Sequence, residues 1–268
     1  MRRGADRSRC RAAVARLMPR DAMALAVASV LSLAAPLQAA SPERCRGTVY
    51  LTFDTGSMSQ AQYIADTLRK HQVRATFFLA NEKTVNGDTS LDPAWAGYWK
   101  SLAADGHAFG NHTWRHWYFR GDNADGTVTY ASYDGRNRTT LDRAALCAEL
   151  EQVNGAFKQM TGRALDPIWR APGGRTTPRA IAYAGDCGYR QHVGWSPAGF
   201  IGDELPSDRY PNDALLGKAL RDLKDGDVTM MHLGIWSRKE PLAPILDDLI
   251  TGLKSRGLCF ATIPERAR

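Results

Sequence analysis

From Val49 to Ile263 the chain alternates short apolar runs, rich in β-branched and aromatic residues, with longer amphipathic segments. That alternation constrains the fold more than any other feature. Val49–Asp54 reads as a strand, Ser59–His71 as a helix with Ile64 and Leu68 on one face, and Val73–Ala80 as a second strand. After a polar loop over Asn81–Asp92, Pro93–Asp105 reads as a helix with proline at its first position and Gly106 just beyond its end. His107–Asn111 is a third strand, and Leu141–Met160, ending at Gly162, is the longest helix. Strands at Pro167–Arg170, Tyr189–Trp195, Asp227–His232 and Leu258–Ile263 then alternate with helices at Pro178–Asp186, Asp213–Leu223 and Leu242–Leu253. Apolar strands separated by helices pair in parallel, so the expectation is one α/β domain, barrel-like or doubly wound. Trp117–Thr140 breaks the pattern and reads as a long irregular insert carrying Trp117, Tyr118, Phe119, Tyr130 and Tyr133. Two readings stay open for it: an ordered lid whose rings stack on a sugar face, or a surface flap whose aromatics bury themselves.

The formal charge of +7 suggests a nucleic-acid or membrane partner, but its distribution removes that reading. Residues 1–40 hold seven of the 35 bases and two of the 28 acids, leaving 28 against 26 in the remainder. The first 40 residues are expected to be a signal peptide: an arginine-rich start, an uncharged Ala22–Ala40 run, and small residues for cleavage near Ala39 or Ala40. The alternative is an uncleaved anchor, against which Pro36 shortens an apolar run already near the lower limit for spanning. The mature domain, 41–268, would then be exported, periplasmic or secreted, with no stable membrane insertion and no nucleic-acid partner. Four cysteines remain in it: Cys45, Cys147, Cys187 and Cys259. An even count in an exported chain points to disulfides, with three pairings open. Cys45–Cys259 would tie the first strand to the last and leave Cys147–Cys187; free buried thiols are the alternative.

Reactive residues follow strands. Asp54 ends Thr-Val-Tyr-Leu-Thr-Phe-Asp, where it is either a helix cap or a catalytic acid. His112 and His116, in Asn-His-Thr-Trp-Arg-His, stand four apart, a spacing that on a helical turn lets both clasp one divalent metal. Arg170 opens Arg-Ala-Pro-Gly-Gly and His232 ends Met-Met-His. Singly, each has an ordinary structural explanation. Together, and at the common carboxyl end of a parallel sheet, they are the parts of metal-assisted hydrolysis: two metal ligands, a carboxylate base, a histidine acid and an arginine to keep the base ionised.

The ordered motifs Thr-Phe-Asp at 52–54, Ala-Thr-Phe-Phe-Leu at 75–79, Gly-Asn-His-Thr-x-x-His at 110–116, Arg-Ala-Pro-x-Gly at 170–174 and Met-Met-His at 230–232 carry a resemblance. The chain resembles the polysaccharide deacetylases of the NodB-homology type, carbohydrate esterase family 4, from roughly Thr48 to Ile263, nearly all of the expected mature chain. The resemblance implies a distorted (β/α) barrel that removes N-acetyl, occasionally O-acetyl, groups from amino-sugar polymers. It implies Asp54 as general base, His112 and His116 as ligands of one divalent metal (zinc, with cobalt or nickel as alternatives), Arg170 as partner of Asp54, His232 as general acid, the Gly173 N–H at the oxyanion and Trp195 in the pocket. Two departures stand out. The family's second acid, the third metal ligand, is Thr55 here, a poor ligand that leaves room for water. The acid that braces the site after the Tyr189–Trp195 strand is missing, and Asp203 and Glu204 either replace it or are solvated loop acids. The expected function is metal-dependent deacetylation of a cell-envelope glycan or exopolysaccharide. The alternatives are an impaired member of the same fold that binds glycan without cleaving it, and hydrolysis of a non-sugar amide.

Overall fold

The computed structural model describes residues 45–266. The signal segment expected at 1–40 lies outside them, and no helix among the described residues is long and apolar enough to cross a membrane. The strands are β1 (Gly47–Val49), β2 (Thr52–Asp54), β3 (Thr76–Leu79), β4 (Ala108–Asn111), β5 (Tyr118–Asp122), β6 (Val128–Ala131), β7 (Arg138–Leu141), β8 (Ile168–Trp169), β9 (Gln191–His192), β10 (Met231–His232) and β11 (Leu258–Phe260). The helices are α1 (Ala61–Lys70), α2 (Ala96–Ala104), α3 (Arg143–Thr161), α4 (Pro178–Asp186), α5 (Asn212–Asp222), α6 (Leu246–Ser255) and α7 (Ile263–Arg266).

Six strands form the main sheet in the order β10-β2-β3-β4-β8-β9, every neighbouring pair parallel. The expected first strand divides in two: β1 pairs with β11, and β2 enters the main sheet. The expected Tyr189–Trp195 strand is regular only over β9, because the chain behind it turns to bring the two sheet edges together. Ser196 N–H donates to Val228 O (3.0 Å), its hydroxyl accepts from Val228 N–H (3.0 Å), and Met230 N–H donates to Gly199 O (2.8 Å). A Cβ on Gly199 would sit 1.8 Å from Val228 O, so glycine is what permits this approach. The result is a distorted barrel rather than an open doubly wound sheet.

Side-chain alternation sorts the wall's two faces. Phe53, Phe77 and Phe109 are register partners on adjacent strands, their rings 5.5 and 5.8 Å apart, and they join Ile64, Leu68, Trp99 and Leu102 in the buried layer under the helices. Phe78, Ile168, Val193 and Val228 form a separate cluster with Ile263. α3 starts on Asp142, whose carboxylate accepts from Ala145 N–H at 2.8 Å, and stops at Gly162 in the left-handed region (φ 78°).

The Trp117–Thr140 insert is not irregular. It is the antiparallel sheet β5-β6-β7, turned at Asp125-Gly126 and Asp134-Gly135, with both glycines at positive φ. Asp-Gly pairs between alternating residues are a hairpin signal that was there to be read. Each reading of its aromatics holds for part of the set: Phe119 and Tyr130 are buried in the core, whereas Tyr118 and Tyr133 face the cleft described below.

Both expected disulfides are present. Cys45–Cys259 joins the segment before β1 to β11, and Cys147–Cys187 joins α3 to the end of α4 across 40 residues. Replacing Cys147 and Cys187 together by serine is expected to lower unfolding free energy by about 2–4 kcal/mol, through the freed loop entropy of the unfolded chain, measured by urea denaturation.

Candidate active site

Asp54 closes β2 and His232 closes β10, where the two are direct register partners. His112 follows the last residue of β4, and Arg170 the last residue of β8. Parallel strands put all four on one rim. Asp54, His112, His116, Gly173, Trp195 and His232 line a single cleft of about 310 Å³, whose mouth carries Tyr118, Tyr133 and Glu204. Arg170 and Thr55 lie behind the cleft wall, both fully buried.

Arg170 is the hub. Its Nη1 donates to Asp54 Oδ1 (2.7 Å), Nη2 to Thr52 Oγ1 (2.8 Å) and Nε to Val193 O (3.0 Å). Thr52 passes the bond on to Thr229 O across the barrel. The guanidinium lies 4.2 Å from the centre of the Phe78 ring and 5.5 Å from that of Trp195. Phe78 can occupy that place because its register partner is Gly110, where a Cβ would come within 2.5 Å of the ring. Burial by itself would raise the Asp54 pKa, but the Arg170 charge, helped by the neighbouring imidazoles, outweighs it and holds the carboxyl below its ordinary value. Asp54 is therefore ionised. With Oδ1 occupied, Oδ2 is left facing the histidines, 3.5 Å from His112 Nε2.

His112 and His116 do not share a helical turn. The segment between them is non-helical, with Thr113 (φ 66°) and His116 (φ 54°) in the left-handed region. Three buried groups hold it there. Asn111 donates to Leu150 O of α3 (2.7 Å) and accepts from Thr113 N–H (2.9 Å). Tyr130 OH donates to Thr113 Oγ1 (2.8 Å) and accepts from Trp117 N–H (3.2 Å), and Glu149 accepts from Arg115 N–H (3.1 Å).

Whether this turn fits a metal can be judged from its proton assignments. His112 Nδ1 lies 2.8 Å from Arg170 O and His116 Nδ1 lies 3.2 Å from a Glu82 oxygen. Arg170 O only accepts, so His112 Nδ1 carries the hydrogen and His112 Nε2 is the lone-pair nitrogen; His116 makes no hydrogen bond to Glu82. The two Nε2 atoms are hydrogen-bonded at 3.2 Å, with His112 accepting, a separation close to the roughly 3.3 Å edge between two nitrogens on one tetrahedral zinc. A divalent cation could replace the hydrogen shared between them. Burial pushes His112 down to about 4, so its Nε2 lone pair is free of a proton at neutral pH. The pair fits a divalent metal, although among the described residues no three His, Cys, Asp or Glu side chains converge as a complete ligand set.

His232 is braced by Asp203, which accepts from the His232 backbone N–H (2.6 Å) and from Nδ1 (3.1 Å). Asp203 is buried against His232 and is not a solvated loop acid; Glu204 is the half-exposed one, 3.6 Å from His232 Nε2. Burial opposes the charged form of His232, but Asp203, then Asp54 and Glu204, carry it up to about 10.

Glu82 was missed by sequence reasoning. It stands three residues beyond β3, at the same carboxyl rim as the other groups, within what read as a polar loop. Its Oε2 accepts from Thr55 Oγ1 at 2.5 Å. Thr55 also accepts from Ala80 N–H (3.1 Å), so its hydroxyl is engaged on both sides.

The sequence profile of the family described as polysaccharide deacetylase matches residues 41–192. The chain belongs to the polysaccharide deacetylase family. Its curated relatives include hydrolases named for removing acetyl groups from peptidoglycan and chitin. Among its relatives is the peptidoglycan-N-acetylmuramic acid deacetylase PdaA of Bacillus subtilis, 26% identical over 81% of this chain and 70% of that protein. Among solved structures, a family 4 carbohydrate esterase from Streptomyces lividans in complex with acetate superposes with a TM-score of 0.59, at 21% identity over 82% of this chain and 94% of the other. A family 4 pseudoenzyme from Bacillus anthracis superposes at 0.60, with 21% identity over 84% and 66%. The structural likenesses establish the deacetylase fold. Within this polysaccharide deacetylase, Arg170→Met strands the Asp54 carboxylate in the interior and is expected to cost about 3–5 kcal/mol of stability in denaturant unfolding.

Proposed function

We propose that this chain is an exported, metal-dependent deacetylase of an acetylated amino-sugar glycan of the cell envelope or an exopolysaccharide. One observation carries the reading: adjacent register partners, Asp54 and His232, are held in opposite protonation states in one cleft. Pairs of titratable groups driven apart in this way mark the base and the acid of a hydrolysis. A binder that only recognised glycan would need neither a buried Asp–Arg pair nor a histidine held protonated. The two disulfides and the features of residues 1–40 support an oxidising compartment outside the cytoplasm.

His112 and His116 would hold one divalent cation, zinc by preference and cobalt or nickel as alternatives, whose charge polarises the acyl oxygen and acidifies water. The chain's own residues do the rest. Asp54 Oδ2 takes a proton from the attacking water while Arg170 keeps Oδ1 fixed. As the acyl carbon becomes tetrahedral, the Gly173 backbone N–H faces its oxyanion. Trp195, stacked near Arg170, forms the cleft floor. His232 Nε2 gives its proton to the departing amine as the carbon–nitrogen bond breaks, and Asp203 on Nδ1 fixes the ring for that transfer. Acetate and a free amino sugar are released.

Acetate release from acetylated chito-oligomers or peptidoglycan fragments, with and without added zinc, tests the reading. Asp54→Asn is expected to abolish release while zinc binding persists, and undiminished release would reject Asp54 as the base. The active form needs His112 neutral, Asp54 deprotonated and His232 protonated, so kcat/KM should be flat at neutral pH, fall on the acid side from about 4 downward as His112 and then Asp54 take up protons, and fall on the alkaline side near 10. Asp203→Asn removes the main charge raising His232. Its alkaline limb is expected to move down towards 6.5, seen in a pH profile of kcat/KM.

A further inference from the structure

Charged groups along the cleft are paired, with two exceptions. Asp54 is paired with Arg170 (2.7 Å), and His232 stands between Asp203 (3.1 Å) and Glu204 (3.6 Å). Arg120, from the insert, and Arg175, from the loop after β8, line the same cleft, and among the described residues neither guanidinium has a carboxylate partner. The acid of the neighbouring turn, Asp134, is engaged by Arg136 (3.4 Å) and the Ser132 hydroxyl (2.7 Å). Arg120 is held in place: its Nη2 donates to Ser132 O (3.1 Å) and Tyr133 O (3.0 Å), and the guanidinium lies 4.9 Å from the centre of the Tyr118 ring. Its Nε and Nη1 are left without a protein acceptor among the described residues. Arg175 leaves a loop clasped between two rings. A Cβ on Gly173 would lie 2.3 Å from Tyr118, and one on Gly174 would lie 2.6 Å from Trp195. Both arginines therefore belong to the wall around Gly173, one through Tyr118 and one through the chain itself. Tyr133, 81% exposed and 5.8 Å from the Tyr118 ring, extends this wall outward as an aromatic face.

Resting on the reading of this cleft as the glycan site, we propose that Arg120 and Arg175 select an acidic glycan, one that bears an ionised carboxylate on the amino sugar being deacetylated or on its neighbour. A neutral glycan needs ring faces and hydroxyl partners, and Tyr118 and Tyr133 supply the faces. Two guanidiniums without counter-ions add little for such a substrate. For a carboxylate they offer planar forks of N–H donors that match its two oxygens, in charge-assisted bonds roughly twice as strong as neutral ones. Arg120 is fixed beforehand by two carbonyls and a ring, so little of its freedom is lost when it binds. The pair also answers a difficulty the cleft creates for an acidic substrate: Asp54 and Glu204 repel an approaching carboxylate, and two unpaired cations offset that repulsion. The other role open to these side chains is that of solvated surface cations. In that role they would be indifferent to the charge on the substrate.

The test compares a peptidoglycan disaccharide bearing a free lactyl carboxylate with the same disaccharide converted to its neutral methylamide, so that the charge is the main difference. Acetate release with added zinc gives kcat/KM for both on the full chain, unaltered and as Arg175→Gln and Arg120→Gln. Arg175 makes no side-chain hydrogen bond among the described residues, so Arg175→Gln spares the fold; Arg120→Gln also loosens the 132–133 turn and serves as the second variant. The unaltered protein is expected to prefer the acid about 10- to 100-fold, each substitution is expected to lower that preference about tenfold, and added salt is expected to shrink it. Equal kcat/KM on acid and methylamide overturns the selection while the deacetylase reading stands. A substitution that slows both substrates alike, leaving the preference as it was, shows a structural part and overturns the role of that arginine. If neither disaccharide releases acetate, the deacetylase reading falls, and binding of the two, followed by quenching of tryptophan fluorescence, decides the arginines. Tighter binding of the acid, lost in Arg175→Gln, upholds the selection; equal binding overturns it.

Discussion

The buried ion pair between Arg170 and Asp54 is the interaction on which the rest of the site hangs. Two opposite charges wholly removed from water are costly unless every remaining donor and acceptor is satisfied. Here they are satisfied by the barrel itself: Thr52 from β2, the carbonyl of Val193, and the ring faces of Phe78 and Trp195. The Arg170 backbone contributes as much as its side chain. Its N–H donates to Asn111 O and its carbonyl accepts from His112 Nδ1, so the residue that fixes the base also fixes the tautomer of the first histidine.

Around that pair each reactive group is backed by one further residue that solvent reaches poorly. His232 has Asp203, His112 has Arg170, and the turn carrying the histidines has Asn111, Tyr130 and Glu149. The antiparallel insert therefore does more than cover the cleft. Tyr130 reaches from its middle strand into the histidine turn, coupling the shape of the insert to the position of the histidines. The cleft's electrostatics follow from the same arrangement: a negative base on one strand and a protonated acid on its neighbour, kept apart by separate partners and not by distance.

The βα alternation and the rim positions of Asp54, His112, Arg170 and His232 were legible because they depend on local pattern and strand periodicity, whereas of the disulfides the even cysteine count gave only their number, with three pairings open. Three things were not. The histidine pair looked helical because its spacing of four is the helical one, and only tertiary hydrogen bonds to Thr113 and Arg115 show that the backbone turns the other way. The β9 strand was overestimated because barrel closure, a long-range requirement met at Gly199, cuts it short. Glu82 and Asp203 were hidden because an acid in a loop looks alike whether it is solvated or aimed inward. What distinguishes them is a partner more than 25 residues distant in sequence, Thr55 for one and His232 for the other.

Thr113 and His116 sit where side chains with a Cβ are disfavoured, each at a penalty of roughly 1–2 kcal/mol. The histidine turn is consequently spring-loaded, kept in place by neighbours that contribute nothing to catalysis. A glycine at 113 would relax the backbone and at the same time surrender the hydroxyl that Tyr130 grips. Backbone ease and a fixed turn are thus opposed at this position, and the threonine keeps the turn fixed.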